Sequence, residues 1–407
     1  MSTTVAREPG DGGPLSDAIV RPKDGTDLVA LGTVPVVLFT NSMVMGGMEE
    51  HVLQLGRGLR ERGHRVAVIC GSEDAIKPLR EALVAADVDV HALISRRASP
   101  IGAVPRIAEL ARIMRAYRHG ILHLHFTGHR GGDLAAIAAR VAGLSAVVRS
   151  VHLPPVEPAS RRERALVRIR DRQLARIICV SEQTKREHLD VLGRDPKKCV
   201  VVHNGVDLVR FSPDVSPVDV RAEFGFDPAA PIVGTVARLG EARKGIDRFV
   251  AAAAIVAERR ADARFLIVGE GDLRPELERQ ARALGVAPKI VFTGHRGDVP
   301  ALLRAMRVFA SPSIYEACQY NLLEAMAAGL PCVSTPTGVA PEVIRDGTTG
   351  RLVPIGDSAA LAGAIVELID EPARASVMGR GARELIAKRF SVDAMLEGIV
   401  RVYREVA

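Results

Sequence analysis

The alternation of short apolar runs with helix-length stretches is the feature that most constrains the fold of this chain. The runs are rich in Val, Ile and Leu, and each is followed by enough residues for a helix. Strands spaced in this way form parallel crossover units, which predicts an α/β fold with doubly wound parallel sheets. The runs occupy residues 36–39, 66–70, 121–125, 146–152 and 177–180, and later 232–236, 264–268, 290–292, 308–311 and 332–335.

An interruption of this pattern marks a domain boundary. The pattern pauses after Asn204-Gly205 and restarts at residue 232, and 407 residues exceed what one compact core usually accommodates. We predict two Rossmann-like domains, 34–212 and 213–390, whose strand-end loops face each other across a cleft. Residues 1–33, rich in Gly, Asp, Pro and Thr, are predicted to form a flexible tail, and 391–407 a final helix.

Composition excludes several function classes. Aromatic residues are only 3% and Trp is absent, which argues against a stacking platform for nucleic acid. The net charge of +7 suits a polyphosphate ligand or an anionic membrane surface. The five cysteines have no CxxC spacing, so we expect no disulfide or zinc framework and a cytoplasmic location. No signal peptide is expected, and the uncharged stretch 28–48 contains too many Gly and Pro residues for a membrane span.

Three loops carry residues suited to phosphate. Gly46-Gly47 stands before a predicted helix, where paired glycines let backbone N–H groups approach an anion or simply form a tight turn. Arg238 and Lys244 follow the strand 232–236 and would suit a diphosphate, although two charges on a solvated loop are an equal alternative. Gly269 begins a partial dinucleotide fingerprint, but Arg274 replaces its third glycine, which disfavours a nicotinamide cofactor.

Two glutamates and one histidine are the other candidates. Glu316 and Glu324 would lie about 80° apart on one continuous helix. If the helix starts near Gln319, Glu316 lies on the preceding loop and both carboxylates can accept hydrogen bonds from sugar hydroxyls. The alternative is a capping acid and a solvent-facing acid. His125, near the end of a strand, would orient substrate or transfer a proton, or be an ordinary buried polar group.

A basic amphipathic helix is predicted around residue 166. Its arginines recur at helical spacing, with apolar residues on the opposite side, which suits either anionic lipid headgroups or a solvated face above a core contact. The first reading predicts peripheral contact with the inner face of a membrane. The arginines are Arg161, Arg164, Arg168 and Arg172, and the apolar residues are Leu166, Ile169 and Leu174.

Together these motifs resemble the retaining glycosyltransferases of family 4, which have the two-domain B-type glycosyltransferase fold. The resemblance covers residues 35–407 and depends on the order and spacing of its motifs. They are Gly46-Gly47-Met48-Glu49, Leu122-His123-Leu124-His125, Asn204-Gly205-Val206-Asp207, Val236-Ala237-Arg238-Leu239 with Lys244-Gly245, Gly269-Glu270-Gly271, Phe292-Thr293-Gly294, and Glu316 with Glu324 eight residues later.

The resemblance implies roles for individual residues. Arg238 and Lys244 would bind the donor diphosphate, Glu324 the ribose and Glu316 the transferred sugar, with His125 near the reacting centre. It also implies that the final helix packs back on the first domain, and that no metal and no cofactor is needed beyond a nucleotide-sugar co-substrate. The implied donor-site residues are Gly46, Gly47, Arg238, Lys244, Gly269, Arg296, Glu316, Asn321, Leu322 and Glu324.

The predicted function is therefore transfer of a sugar from a nucleotide diphosphate to a hydroxyl acceptor with retention of anomeric configuration. The acceptor would be a glycan, a lipid-linked molecule or a small molecule, and no nucleic acid is expected as a partner. The chain departs from the family pattern at Ala317 and Gln319, where glycine is common, so the donor sugar stays open. A nucleotide-sugar epimerase of the same fold and a non-catalytic binding protein are the alternatives.

Overall fold

The structure is a computed structural model that describes residues 33–93, 100–155 and 158–407. Val34–Ala407 form one compact unit. The predicted tail, apart from Thr33, lies outside the described residues. Among the helices that are described, none is both long and apolar enough to cross a bilayer.

The first domain is a seven-stranded parallel sheet with strand order β3-β2-β1-β4-β5-β6-β7. Its central strands are buried on both faces, which explains why they read as continuous apolar runs in the sequence. The strands are β1 (Val36–Thr40), β2 (Val66–Gly71), β3 (Asp89–Leu93), β4 (Ile121–Phe126), β5 (Ala146–Val151), β6 (Arg176–Cys179) and β7 (Cys199–Val201). The helices are α1 (Gly47–Glu61), α2 (Lys77–Ala85), α3 (Pro100–Met114), α4 (Asp133–Ala142), α5 (Arg161–Asp171) and α6 (Glu182–Leu192).

The second domain repeats this architecture with six parallel strands in the order β10-β9-β8-β11-β12-β13. The strands are β8 (Ile232–Val236), β9 (Arg264–Val268), β10 (Ile290–Gly294), β11 (Val308–Ser311), β12 (Cys332–Ser334) and β13 (Arg351–Leu352). The helices are α7 (Val220–Phe224), α8 (Ile246–Arg259), α9 (Arg274–Ala283), α10 (Val299–Ala305), α11 (Tyr320–Ala327), α12 (Ala340–Val343), α13 (Ser358–Asp370) and α14 (Pro372–Arg389), followed by α15 (Val392–Val406). The predicted fold of two doubly wound parallel-sheet domains is confirmed.

The last helix belongs to the core of the first domain. Ser391 caps α15 by accepting a hydrogen bond from the Ala394 N–H at 3.2 Å. Leu396 on α15 packs so closely on α1 that a Cβ at Gly58 would lie 2.3 Å from its Cδ1. At the other end of α15, the Tyr403 hydroxyl lies 2.7 Å from Nδ1 of His123 on β4. The helix therefore ties the end of the chain to the first sheet.

The basic helix α5 corrects the sequence analysis. Its apolar residues were expected to lie opposite the arginines, but Leu166 and Ile169 are 44% and 56% exposed. The contact with the domain is instead made by Val167, which is 1% exposed, and by Leu174 just beyond the helix. Only Val167 and Asp171 of this 11-residue helix are buried, so the helix packs on the domain through a narrow contact. The solvent-facing side consequently combines arginines with two large apolar side chains.

Strand order reverses at one point in each sheet, between β1 and β4 and between β8 and β11. Loops that leave adjacent strands on either side of such a point diverge to opposite faces of the sheet and leave a crevice between them. The crevices of the two domains lie in the same unit and face one cleft. The topology alone therefore places the candidate site.

Candidate active site

A cleft of about 840 Å³ lies where these loops meet. The first domain contributes the loop after β1, the start of α1, and residues after β4 and β5. The second domain contributes the loops after β8 and β11 and the first turns of α11. Its volume lies in the range of pockets that bury ligands of nucleotide size.

The two glycines at the start of α1 let the opposing domain come close. A Cβ at Gly47 would lie 3.0 Å from Cδ2 of Tyr320 on α11, and a Cβ at Gly46 would lie 3.7 Å from Nη2 of Arg238. Gly46 is the N-cap of α1 and supplies no side-chain hydrogen bond to the first turn. The first turn of this 15-residue helix lines the cleft and brings the partial positive charge of a helix N-terminus to it, together with the carboxyl group of Glu49.

Glu316 is held between two cations at the mouth of the loop after β11. Its Oε1 accepts from Nζ of Lys244 at 2.7 Å, and its Oε2 accepts from Nη1 of Arg243 at 2.6 Å. Its side chain is only 4% exposed. Sequence analysis missed Arg243, although its position directly before Lys244 on a strand-end loop was the available signal.

Arg238 is the most exposed of the three cations. Half of its side chain is exposed, and its Nη2 donates to Oε1 of Glu241 at 2.6 Å. Glu241 also pairs with Arg243. The three cations and the carboxylates of Glu241 and Glu316 together carry one positive charge in excess. Their N–H donors can turn toward a bound anion.

Glu324 lies on α11 and lines the same cleft. Burial raises the pKa of this carboxyl to about 7, an effect that the nearby Arg210 partly opposes and Glu50 reinforces. An acid with its pKa near neutrality in a cleft is typical of a functional group, because a purely structural acid would be paired or solvated. Hydrogen bonds from hydroxyl groups of a ligand would favour its ionised form.

The remaining predicted donor-site residues differ in their position relative to the cleft. Asn321 lines the cleft and is fixed by a 2.7 Å hydrogen bond from its Nδ2 to the Val236 carbonyl. Leu322 is fully buried in the core, and its N–H donates to Oδ1 of Asn321. Gly269 approaches the backbone of the neighbouring loop, since a Cβ there would lie 1.9 Å from the Ala237 carbonyl oxygen.

Arg296, another predicted donor residue, is engaged outside the cleft lining. Its Nε donates to Oδ1 of Asp298 at 2.8 Å, and its Nη1 donates to Oε1 of Glu223 at 2.5 Å. These ion pairs hold the loop after β10 against α7. The structure therefore brings Gly46, Gly47, Arg238, Lys244, Glu316, Asn321 and Glu324 together around the cleft, while Gly269, Leu322 and Arg296 lie beside it.

The predicted catalytic histidine lies beneath the cleft. His125 is fully buried on β4, and it is His152, after β5, that reaches the cleft lining. Nδ1 of His125 and Nε2 of His152 are hydrogen-bonded at 3.2 Å, and the ring of His51 on α1 is tilted against the first and edge-on to the second. Burial lowers the pKa of His51 to about 4 and the pKa values of the other two well below the usual range, so all three imidazoles are neutral.

A cluster of this kind was not expected from the sequence. Its ligand atoms lie within 4.8 Å of one another, and it is the group of three potential metal ligands found within the described parts of the chain. The three residues come from a helix, a strand and a loop, so their spacing along the sequence carries no metal-ligand signature. The expectation that no metal is needed rested on the resemblance to family 4 and on the lack of metal-ligand spacing in the sequence.

Two domains of Rossmann type that face each other across a charged cleft form the B-type glycosyltransferase fold. The sequence matches two family models, "Glycosyltransferase Family 4" over residues 45–210 and "Glycosyl transferases group 1" over residues 230–371. The chain belongs to this family of glycosyltransferases.

Curated relatives of known name span most of the chain. It is 32% identical over 381 residues to phosphatidyl-myo-inositol mannosyltransferase of Mycobacterium leprae, covering 89% of this chain and 94% of that protein. It is 27% identical over 319 residues to UDP-Gal:alpha-D-GlcNAc-diphosphoundecaprenol alpha-1,3-galactosyltransferase of Escherichia coli, covering 76% and 81%.

Solved structures agree on the fold. A glycosyltransferase from Rickettsia africae aligns with a TM-score of 0.81 at 20% identity, covering 92% of this chain and 99% of that one. The Anabaena protein HepE in complex with UDP aligns with a TM-score of 0.79 at 21% identity, covering 91% and 100%.

Proposed function

We propose that the protein transfers a hexosyl group from a nucleoside diphosphate sugar to a hydroxyl group of a lipid-linked acceptor, with retention of anomeric configuration. One observation carries this proposal. Arg238, Arg243 and Lys244 lie on one wall of the cleft, and the start of α1 lies on the opposite wall. Both features favour a diphosphate between them. The nucleotide-sugar donor named for the galactosyltransferase relative and the UDP bound to HepE support it.

The main catalytic contribution is stabilisation of the charge that develops on the departing diphosphate. Lys244 and Arg238 supply it from the second domain, and the N-terminus of α1 supplies it from the first. Arg243 acts as a positioning residue, because its bond to Glu316 fixes that carboxylate for the hydroxyls of the transferred sugar. These cations do the work that a divalent ion does in other transferases, so no metal is needed at the diphosphate.

Retention follows without a covalent intermediate. Glu316, the carboxylate assigned to the transferred sugar, is already bound by Lys244 and Arg243, which lowers its nucleophilicity. The acceptor therefore attacks from the face that the leaving group vacates, and a phosphate oxygen takes the acceptor proton. The C1–O bond to the diphosphate breaks as the C1–O bond to the acceptor forms.

The proposal is tested by turnover and product stereochemistry. Thermal shift with UDP, GDP and ADP identifies the base, because a ligand that binds the native state raises the melting temperature. The matching sugar nucleotides are then incubated with phosphatidylinositol and undecaprenyl diphosphate sugars, with and without Mg²⁺. We expect an α-linked product from an α-linked donor at equal rates in both. Epimerised donor in the absence of acceptor, or an inverted product, would contradict the proposal.

The lipid-linked acceptor is supported by α5 as well as by the names of the relatives. The exposed side of this helix carries Leu166 and Ile169 among the arginines at 161, 162, 168 and 172. Arginine near an anionic leaflet contributes about 1 kcal/mol each, and exposed apolar side chains can enter the interface. The pocket beside its first turn, lined by Thr127 and Glu163 among others, adjoins the main cleft.

We expect co-sedimentation with phosphatidylglycerol vesicles and little binding to phosphatidylcholine vesicles. Replacing Arg161, Arg162, Arg168 and Arg172 with Gln should reduce the affinity at least tenfold, because several units of about 1 kcal/mol are lost before screening by salt. Leu166→Ser with Ile169→Ser should weaken the remaining binding.

The matched control removes the same charge from the second domain, by replacing the exposed Arg259, Arg279, Arg282 and Arg307 with Gln. An equal loss of binding in this control would show that net charge, and not the α5 surface, determines the interaction.

A further inference from the structure

A second cavity, of about 350 Å³, lies on the first domain beside the donor cleft. Thr127, after β4, and Leu153, after β5, line both the cavity and the cleft, so the two spaces adjoin. In the proposed transfer the second domain binds most of the donor, and the acceptor hydroxyl reaches the C1 atom of the sugar from the first domain. The molecule that carries this hydroxyl therefore needs room next to the cleft.

Glu163, in the first turn of α5, lines this cavity instead of completing the cap of its helix. Ser160 is the N-cap and accepts from the Glu163 N–H at 3.2 Å. In a capping box, a glutamate at this position returns the bond to the N-cap N–H. Here its Oε1 accepts from Nε2 of His129 and from Nη2 of Arg130, both at 2.8 Å. No described residue donates to its Oε2, and a quarter of the side chain is exposed, so this carboxylate is held in place with acceptor capacity left for a ligand.

The loop that carries His129 and Arg130 is fixed from beneath by Arg149 on β5. Arg149 is 2% exposed, and its Nη2 donates to the carbonyls of Gly128 at 2.9 Å and Arg130 at 3.1 Å. Its Nη1 donates to the Gly131 carbonyl at 3.2 Å. A buried charge is costly unless its surroundings supply hydrogen bonds. These carbonyls supply them only while the loop keeps this conformation, so a ligand of the cavity does not have to order the loop.

The remaining lining of the cavity is largely apolar. It is formed mainly by Leu153, Pro154, Pro155 and Leu192. A sugar or cyclitol ring has C–H groups on its faces and hydroxyl groups around its edge, so it matches apolar surface beside a carboxylate. An acyl chain would take water from Glu163 and Arg130 without replacing its hydrogen bonds. The lining therefore favours a polar ring.

We propose that this cavity binds the polyhydroxylated ring of the acceptor head group, and that Glu163 accepts hydrogen bonds from its hydroxyls. The inference rests on the proposed function and adds to it a residue that selects the acceptor. An inositol ring and a hexose ring offer the same chemistry, and they belong to the two acceptor classes of the transfer assay above. Because Glu163 belongs to α5, a head group bound here lies next to the helix proposed to contact the membrane.

The experiment measures binding of head groups without their lipids. Saturation-transfer NMR is recorded with myo-inositol 1-phosphate and with N-acetylglucosamine 1-phosphate on the full chain, with and without bound nucleoside diphosphate. We expect one of the two rings to bind and Glu163→Gln to weaken its affinity by about tenfold or more, because hydrogen bonds to a charged acceptor are lost. The acceptor KM of this variant should rise by a similar factor, while its affinity for the nucleoside diphosphate stays at the parental value.

The matched control is Glu182→Gln. Glu182 is an exposed acid in the first turn of α6 and lies outside the lining of both spaces. This variant should bind the ring as the parent does. The proposal is overturned if neither ring binds to the parent, if Glu163→Gln keeps the parental affinity, or if both variants lose affinity equally. A ring that binds through Glu163 but receives no sugar would contradict the proposed transfer alone and would support the site.

Discussion

Lys244→Ala is expected to lower kcat/KM by roughly 100- to 1,000-fold, because it removes a charge aimed at the departing diphosphate. Loss of one such donor typically costs about 3–4 kcal/mol of transition-state stabilisation. Lys244 lines the cleft, and its Nζ is 2.7 Å from Glu316. Arg238→Ala should have an effect of the same kind, since its guanidinium faces Gly46 across the cleft. Steady-state kinetics with a saturating acceptor measure both.

The control separates chemistry from folding. Lys77 is exposed on α2, pairs only loosely with Glu81 at 3.6 Å, and lies outside the cleft lining. Lys77→Ala removes the same charge and should leave kcat/KM unchanged within twofold. The melting temperature of Lys244→Ala must stay close to that of the parent for its kinetics to be interpreted. Parental kinetics in a folded Lys244→Ala variant would show that the diphosphate binds elsewhere.

Glu324→Gln is expected to weaken binding of the free nucleoside diphosphate at least tenfold and yet to stabilise the ligand-free protein above neutral pH. The first effect follows from losing a carboxylate that accepts hydrogen bonds from the ribose, since such charged hydrogen bonds contribute about 1.5–3 kcal/mol. The second follows from the pKa, which burial raises from 4.5 to about 7. Calorimetric titration measures the first effect and thermal unfolding the second.

The sign of the pH dependence is fixed by that shift. A carboxyl whose pKa is higher in the folded chain stabilises it fully below about pH 4.5, and this contribution is lost as the pH rises through about 7. One pKa unit corresponds to about 1.4 kcal/mol, so the ionised Glu324 costs about 3 kcal/mol at pH 8. Glu324→Gln should therefore raise the melting temperature at pH 8 much more than at pH 5. Equal shifts at both values would contradict the assigned pKa.

Glu316→Gln distinguishes the roles of the two acids. Removing the Glu316 charge frees Lys244 for phosphate and leaves Arg243 paired only with Glu241, so affinity for the free nucleoside diphosphate should be kept or increased. Affinity for the intact sugar nucleotide should fall, because the sugar loses its acceptor. The exposed Glu276 on α9 serves as the control, with no change for either ligand in Glu276→Gln. Equal losses for both ligands in both cleft variants would contradict the division of roles.

The sequence predicted the fold because central parallel strands are buried on both faces and must be apolar throughout. The runs at 232–236, 264–268 and 308–311 match β8, β9 and β11 residue for residue. β3 and β13 did not stand out, because these two edge strands are incompletely covered and need no apolar run, whereas β10, also at an edge, was found from its run at 290–292. The half-exposed residues of β3 and the two-residue length of β13 show this directly.

The sequence by itself determined which loops carry the charged residues of the cleft, because parallel strands place their carboxyl ends at one edge of the sheet. Together with the resemblance to family 4, that rule pointed to Arg238, Lys244, Glu316 and Glu324, all of which line the cleft. Only the tertiary structure decided how these groups pair and what lies beneath them. Two features join segments far apart in the chain: the bonds from Arg243 and Lys244 to Glu316, and the convergence of His51 with His125 and His152. The exposure of Leu166 and Ile169 on α5 likewise depends on which side of that helix meets the domain. Local periodicity reports which face of an element is buried but not which distant side chain it meets, and packing between elements fixes the rest.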